Sequence, residues 1–389
     1  MSRRAGVMPG TVMLTLGRLP KALDIARSFA MQGWRVIIAE PFRQHLAGAS
    51  NMVARSYQVT APAVSKRRYL AELAAIIAAE KVDWVIPVSE ETMHVTFLRE
   101  LVPASVRIFT MPPEALLPAY DKHGFIHLAQ SAGVSVPETH ALGSPAGEAL
   151  ARLGPVVVKP VHSCSGRGVR ILAQGAPLPS EAGSVVQRFI PGEVHSSCSI
   201  AQAGQVLSTV IYRGALFSGS VAIAFERVVE PVLFEAWIAR FVRHVNWTGF
   251  ISFDFVLDAQ GVPHGIECNP RTTSGLHFFE TADLAPAILE ARPPRFRQAL
   301  RLQQFYSCLT ETQKSVLTPR RFPRNLHALL TTPDVTWNRQ DKRPFLTMTW
   351  TSWEIIRRAM QAGTTFGEVA TLDVGWYEGE GTAEGGTAA

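Results

Sequence analysis

The pairing of chemistry-bearing residues is densest between positions 253 and 271. There Phe253-Asp254-Phe255 is followed by Ile266-Glu267-Cys268-Asn269-Pro270-Arg271. Side chains on a strand alternate between its two faces. Glu267 and Asn269 therefore share a face, and Asp254 points away from the two phenylalanines that flank it. The intervening Asp258-Ala259-Gln260-Gly261 has hairpin-turn chemistry. If it closes a hairpin, Asp254 comes to lie beside Glu267. Two carboxylates and an amide oxygen suit a hard cation such as Mg²⁺, which takes oxygen ligands and completes its shell with phosphate and water. Arg271 adds a fixed positive charge for a transferring phosphoryl group. Taken singly, Asp254 also fits a solvated strand residue and Glu267 a surface partner of Arg271. Taken together, with apolar residues at alternate positions, they read as a metal cluster.

Two further stretches could serve an anionic ligand. Val156-Val157-Val158-Lys159-Pro160 is a β-branched run ending in a lysine, which puts an ammonium at a sheet edge. The following His162-Ser163-Cys164-Ser165-Gly166-Arg167-Gly168 can wrap backbone N–H groups around an anion, with Gly166 and Gly168 free to take positive φ. Together they form a candidate phosphate cradle, although the GxxxxGK[ST] pattern of a P-loop is absent. Cys164 has no ordered base partner in the sequence, so a nucleophilic role is not indicated. The run Val185-Val186-Gln187-Arg188-Phe189-Ile190 ends at Pro191-Gly192-Glu193. It can be an ordinary strand and turn, or the wall of an adenine slot whose acid meets the ribose.

These residues need a framework, and the chain has material for one. It contains 389 residues, 47% of them hydrophobic and 18% charged, which suits two or three globular domains. The order of apolar run Val12–Leu16, helical pattern Ala22–Met31 and apolar run Trp34–Ala39 opens a parallel α/β sheet. It recurs as a helix over Leu70–Ala79, a buried strand over Asp83–Val88 and a strand at Val106–Thr110. Gly17 is the sole glycine in the first turn, so the three-glycine dinucleotide fingerprint is missing. Glu90-Glu91 follows a strand end, where ligands bind in such sheets, and is a candidate on the substrate side. A helix is expected over Asp121–Ala132. Short strands with turns at Gly204 and Gly214 are expected between Ser196 and Ile223, and a helix over Ala236–Val245. Beyond Arg292-Pro293-Pro294-Arg295 the texture changes. Helical pieces are expected near Arg297–Tyr306 and Trp353–Gln361.

The formal charge of +6 fits a protein that binds phosphates, and no nucleic-acid module accompanies it. The four cysteines are scattered without a CxxC pair, which argues against a zinc cage and for a reducing compartment. No stretch reaches the length of a transmembrane helix. Pro9 and Gly10 interrupt the only signal-like run, so the cytoplasm is expected.

The motifs, in this order and spacing, resemble the ATP-grasp superfamily, with a preceding α/β domain similar to that of carbamoyl-phosphate synthetase and biotin carboxylase. The resemblance covers about residues 10–290 and is most specific over Gly249–Arg271. It implies an α/β and α+β fold: an open parallel α/β domain (1–115), a two-lobed ATP-grasp domain (116–290, with a nucleotide lobe to about 190) and a C-terminal extension (291–377). A disordered tail (378–389) is expected from its composition. It implies ATP and Mg²⁺, with Mn²⁺ as a substitute. Asp254, Glu267 and Asn269 would hold the metal, while Arg271 and Lys159 would act in phosphoryl transfer. Lys122, Lys159, Ser163, Ser165, Gly166, Gly168, Gln187, Ile190 and Glu193 would contact the nucleotide, with His195 an alternative to Glu193 at the ribose. The implied activity is joining a small carboxylate to an amine through an acyl phosphate, releasing ADP. Biotin-carboxylase-like or kinase-like phosphoryl transfer, and a non-catalytic nucleotide sensor, are the alternatives. A homodimer through residues 10–115 is also implied. The extension would pack on the core as helices, or cap the substrate, or dock on a partner or anionic surface.

Overall fold

The computed structural model describes residues 9–162, 168–318, 320–363 and 366–376. The first sheet is parallel and five-stranded, in the order β3-β2-β1-β4-β5. Its strands are β1 (Thr11–Leu14), β2 (Arg35–Glu40), β3 (Arg55–Gln58), β4 (Trp84–Ile86) and β5 (Arg107–Ile108). β1 is buried along its whole length, as expected of a central parallel strand covered on both faces. β3 was not legible in the sequence. Its residues, Arg-Ser-Tyr-Gln, lie exposed or half-buried at the sheet edge and carry no apolar alternation. The helix Pro20–Met31 begins with proline, whose fixed φ and missing N–H suit a first turn. The helix Lys66–Glu80 is capped by Ser65, whose hydroxyl accepts from the Arg68 N–H.

The second sheet is small and antiparallel, in the order β6-β9-β7-β8. It comprises β6 (Thr139–Ala141), β7 (Val156–Pro160), β8 (Arg170–Leu172) and β9 (Ser184–Arg188). Val156, Val158 and Val186 pack on Leu150 of the helix Pro145–Leu153. The third sheet is antiparallel and six-stranded, in the order β14-β13-β10-β11-β12-β15. Its strands are β10 (Glu193–Gln202), β11 (Gln205–Ser218), β12 (Val221–Arg227), β13 (Gly249–Leu257), β14 (Pro263–Asn269) and β15 (Arg301–Gln303).

Two expectations are corrected here. Gly214 does not turn the chain. It lies within the 14-residue β11, where the register against β12 shifts between Gly214 and Leu216. The local bend is therefore a bulge, and the true turn follows Ser218. The chain from Arg297 to Tyr306 is not helical throughout either. Arg301–Gln303 pairs with β12 as a sixth strand, and the helix begins at Phe305. The C-terminal extension is thus stitched into the large sheet.

Both faces of that sheet are covered. On one, Ile200, Val210 and Phe225 share an apolar cluster with Val12, Leu14, Ala22 and Phe29 of the N-terminal unit. On the other, Phe253 and Phe255 pack against Phe125 of the helix Lys122–Ser131 and Trp237 and Phe241 of the helix Val232–His244. The parallel sheet and the large sheet are fixed to one another through the first of these cores.

Candidate active site

β13 and β14 form the expected hairpin, and the register places Asp254 directly opposite Glu267. Asp254 is held on two sides. Its carboxylate accepts from the Ser196 hydroxyl at 2.6 Å and from the Asn269 amide at 3.2 Å. Burial, and then the neighbouring Glu267 carboxylate, push Asp254 up to about 6. Arg271 donates to the Asn269 side-chain oxygen at 3.1 Å and is ion-paired with Glu90.

Two lysines close the other side. Lys122 occupies the first position of its helix, which Asp121 caps through the Gly124 N–H at 2.6 Å. The Lys122 ammonium lies 3.6 Å from Glu267. Lys159, on β7, donates to the Ile266 carbonyl at 2.8 Å and to the Gln187 side chain at 3.0 Å. Burial lowers Lys159 to about 8; the Lys122 ammonium acts in the same direction and the Glu267 carboxylate opposes it. The hairpin, the small sheet and the helix Lys122–Ser131 thus bring two acids, one amide and three cations into one cluster.

The donor set fits Mg²⁺. All donors are oxygens, and a divalent cation between Asp254 and Glu267 would relieve their mutual repulsion. Among the described residues no group of three or more His, Cys, Asp or Glu could hold a metal. A cation at this hairpin would therefore need the Asn269 oxygen, phosphate and water to fill its shell.

Other expected contacts fare differently. The Gln187 amide bonds Lys159 at one end and the Thr139 hydroxyl, at 2.9 Å, at the other. Its side chain bridges the lysine and β6. Ile190 is half-buried beyond the end of β9. Glu193 and His195 lie on a different face from Asp254. The β10–β13 register runs unbroken from Glu193↔Leu257 to Ser196↔Asp254. Alternation therefore sends Glu193 and His195 to the face opposite Asp254. Glu193 there pairs with Arg213 at 2.6 Å, and His195 packs on Phe234. Gly168 has φ +72°, and a Cβ there would come within 2.8 Å of the Pro160 ring. Ser163, Ser165 and Gly166 lie outside the described residues, as do Cys164 and the tail from Glu378.

The sequence reading missed Ser196 as a partner of Asp254, because that pairing needs strand register across 58 positions. It also missed Lys21, at the start of the helix Pro20–Met31. The Lys21 amine is buried and donates to the Thr272 carbonyl at 2.7 Å. Glu91 proves to be a loop anchor. Its carboxylate accepts from the Val88 and Ser89 N–H groups and from the Thr15 hydroxyl. His94 bonds the Gly375 carbonyl and His277 bonds Asp24, so both are structural.

Residues 119–275 match the family model of the ATP-grasp domain. Over 238 residues the chain is 23% identical to the large chain of carbamoyl phosphate synthase from Thermus thermophilus, covering 55% of this chain and 23% of that relative. It thus spans about a quarter of the length of the curated relative it matches. Its fold is similar to that of a biotin carboxylase from Campylobacter jejuni, with a TM-score of 0.60 at 15% identity over 75% of this chain and 72% of the other. It is also similar to an L-amino acid ligase from Bacillus licheniformis, with a TM-score of 0.56 at 15% identity over 74% and 75%. Residues 119–275 thus match an ATP-grasp domain, and in this structure the five-stranded parallel sheet precedes that span.

Proposed function

We propose that the protein is an ADP-forming ligase that activates a small carboxylate as an acyl phosphate and couples it to an amine. The observation that carries this reading is the convergence of Asp254, Glu267 and Asn269 with Lys122, Lys159 and Arg271 around one hairpin. Such a cluster can neutralise a triphosphate. Catalysis would then come from positioning and electrostatics.

Lys122 and Lys159 bind the α- and β-phosphates of ATP and offset their charge. Asp254, Glu267 and Asn269 would hold Mg²⁺, with Mn²⁺ as a substitute, which when bound lowers the charge on the reacting phosphates. A substrate carboxylate oxygen bonds to the γ-phosphorus as the bond to the β-phosphate oxygen breaks, and ADP leaves. Arg271 stabilises the transferred group. The amine then attacks the acyl carbon, phosphate leaves with the bonding pair, and the amine sheds a proton. Small-molecule substrates fit this enclosed geometry. Among the described residues no helix is long and apolar enough to cross a membrane.

The test is incubation with Mg-ATP and pooled small carboxylates and amines, with nucleotides resolved by chromatography and Glu267→Ala run alongside. ADP and phosphate that require both pools and vanish in the variant support the reading. AMP and pyrophosphate would replace it with adenylation.

A further inference from the structure

A cavity of about 590 Å³ lies behind Arg271, between the N-terminal unit and the C-terminal extension. Its lining combines two kinds of residue. Lys21, Ser89, Glu90 and Arg271 are polar, whereas Val221 and Ile223 of β12 and Ile355, Ile356, Met360 and Phe366 of the extension are apolar.

Among the polar groups lining the cavity, the Lys21 amine is buried and lies near the Glu90 and Glu91 carboxylates without an ion pair to either. Glu90 is ion-paired with Arg271. Arg18, which also lines the cavity, is locked to Glu40 and Asp373. Lys21 has a carbonyl, Thr272, as its hydrogen-bond acceptor. A buried ammonium opposite a neutral acceptor leaves room for an anionic partner. The apolar lining has no such demand and rewards burial of hydrocarbon. Arg271 joins the two regions, because it reaches Asn269 of the hairpin and Glu90 of the cavity. A carboxylate drawn to Lys21 would sit beside the cluster assigned to phosphoryl transfer.

We infer that this cavity binds the carboxylate substrate, and that the substrate is a monocarboxylate with an extended apolar body whose hydrocarbon lies against the C-terminal extension. This rests on the ligase reading for its chemistry and on the cavity alone for its binding. The volume falls within the range of about 300–1,000 Å³ typical of small-molecule sites. The extension's wall lies outside residues 119–275, the span that matches the ATP-grasp domain. Selectivity for the acid would therefore be set by a part of the chain separate from the phosphate-handling hairpin. The helix Trp353–Ala362 supplies much of the extension's wall. Ile355, Ile356, Ala359 and Met360 all line the cavity, and Ile355 and Ala359 are buried.

The experiment is calorimetric titration of the full chain, without nucleotide, with acetate, octanoate and decanoate. Ile356→Asp, Ile356→Leu and Lys21→Met are titrated alongside. Octanoate should bind at least about tenfold more tightly than acetate, because each added methylene contributes to burial. Ile356→Asp should weaken octanoate by about tenfold or more, and Ile356→Leu should restore it. Lys21→Met should weaken all three acids. Each variant is checked for an intact fold by its thermal shift with ADP. Octanoate binding no tighter than acetate, or unchanged in Ile356→Asp, overturns the assignment. Adding ATP and an amine pool separates the two readings. Octanoate binding without ADP release keeps the cavity assignment and removes the ligase. ADP release with short polar acids alone keeps the ligase and removes this assignment.

Discussion

Glu90, in the loop after β4 of the N-terminal sheet, is ion-paired with Arg271, two residues beyond the end of β14. The pair joins the parallel domain to the hairpin that carries the acids. The Glu90 side chain is 1% exposed. Removing one member of a buried pair leaves an uncompensated charge and costs about 3–5 kcal/mol. Glu90→Gln keeps the shape and one acceptor but loosens the guanidinium. Turnover should fall about 10- to 100-fold through misplacement of Arg271. KM for ATP should stay nearly constant, because the lysines are untouched. Steady-state kinetics with ATP varied separates the two parameters.

The Asp254–Glu267 pair makes a second prediction. Like charges directly opposite on a hairpin are unfavourable unless a cation lies between them. Glu267→Ala should reduce turnover at least about 100-fold. It should also abolish the extra thermal shift that Mg-ADP gives over ADP alone, which differential scanning fluorimetry reads. Chelation of divalent cations should stop the native enzyme, and Mg²⁺ should restore it. An unchanged Mg-ADP shift in the variant would remove Glu267 from the metal site.

Gln187 acts through Lys159. With its amide gone, Lys159 keeps the Ile266 carbonyl but loses its second tether. Gln187→Ala should therefore raise KM for ATP several-fold with a modest loss of turnover, the loss of one hydrogen bond to a charged group being worth about 1.5–3 kcal/mol at most. Lys159→Ala should be more damaging in both parameters. If Gln187→Ala lowers thermal stability and leaves ATP binding intact, its role is packing.

What the sequence disclosed follows from the range of each interaction. The hairpin from Gly249 to Asn269 was legible because alternation and a turn motif are local, and they forced Asp254 beside Glu267. Lys159 was legible as a cation ending a β-branched run. Ser196, Glu90 as the Arg271 partner and Lys21 were not, since each meets the site through strand register or domain packing. The face that Glu193 presents was not legible for a related reason. Proximity to Pro191-Gly192 favoured Glu193, but the face a strand residue presents is set by pairing with β13. β15 was missed because Arg301-Leu302-Gln303 is too short to show a period, and its edge position is decided by β12.

The far face of β13 should control the near one. Phe253 is fully buried among Phe125, Trp237 and Phe241, with ring centroids 5.0 Å from Trp237 and 5.1 Å from Phe241. Phe253→Ala should destabilise the protein by about 3–5 kcal/mol. The urea midpoint should shift down with an unchanged slope. Phe253→Leu should recover part of the loss, and the residual activity of both should track the folded fraction.

Lys21 makes the site sensitive to pH. Burial first, and then the Arg271 guanidinium, lower it from the ordinary lysine value to about 7, against the pull of Glu91 and Glu90; the Cys198 thiol also faces it. The unfolded chain keeps the ordinary value. Below about 7 the amine is charged in both states and the burial penalty is fully present. As pH rises from there towards the ordinary lysine range, the folded state releases the proton first and the penalty is relieved. Lys21→Met should accordingly stabilise the protein most at pH 6, with the gain shrinking by pH 9 in urea titrations. Carboxylate binding should run the other way. A bound anion holds the proton on Lys21, so octanoate affinity should fall as pH rises past about 7, with proton uptake visible as a buffer-dependent heat. Both the pH dependence and the buffer effect should vanish in Lys21→Met. A pH dependence of octanoate binding that survives in that variant would assign the titration to a different group.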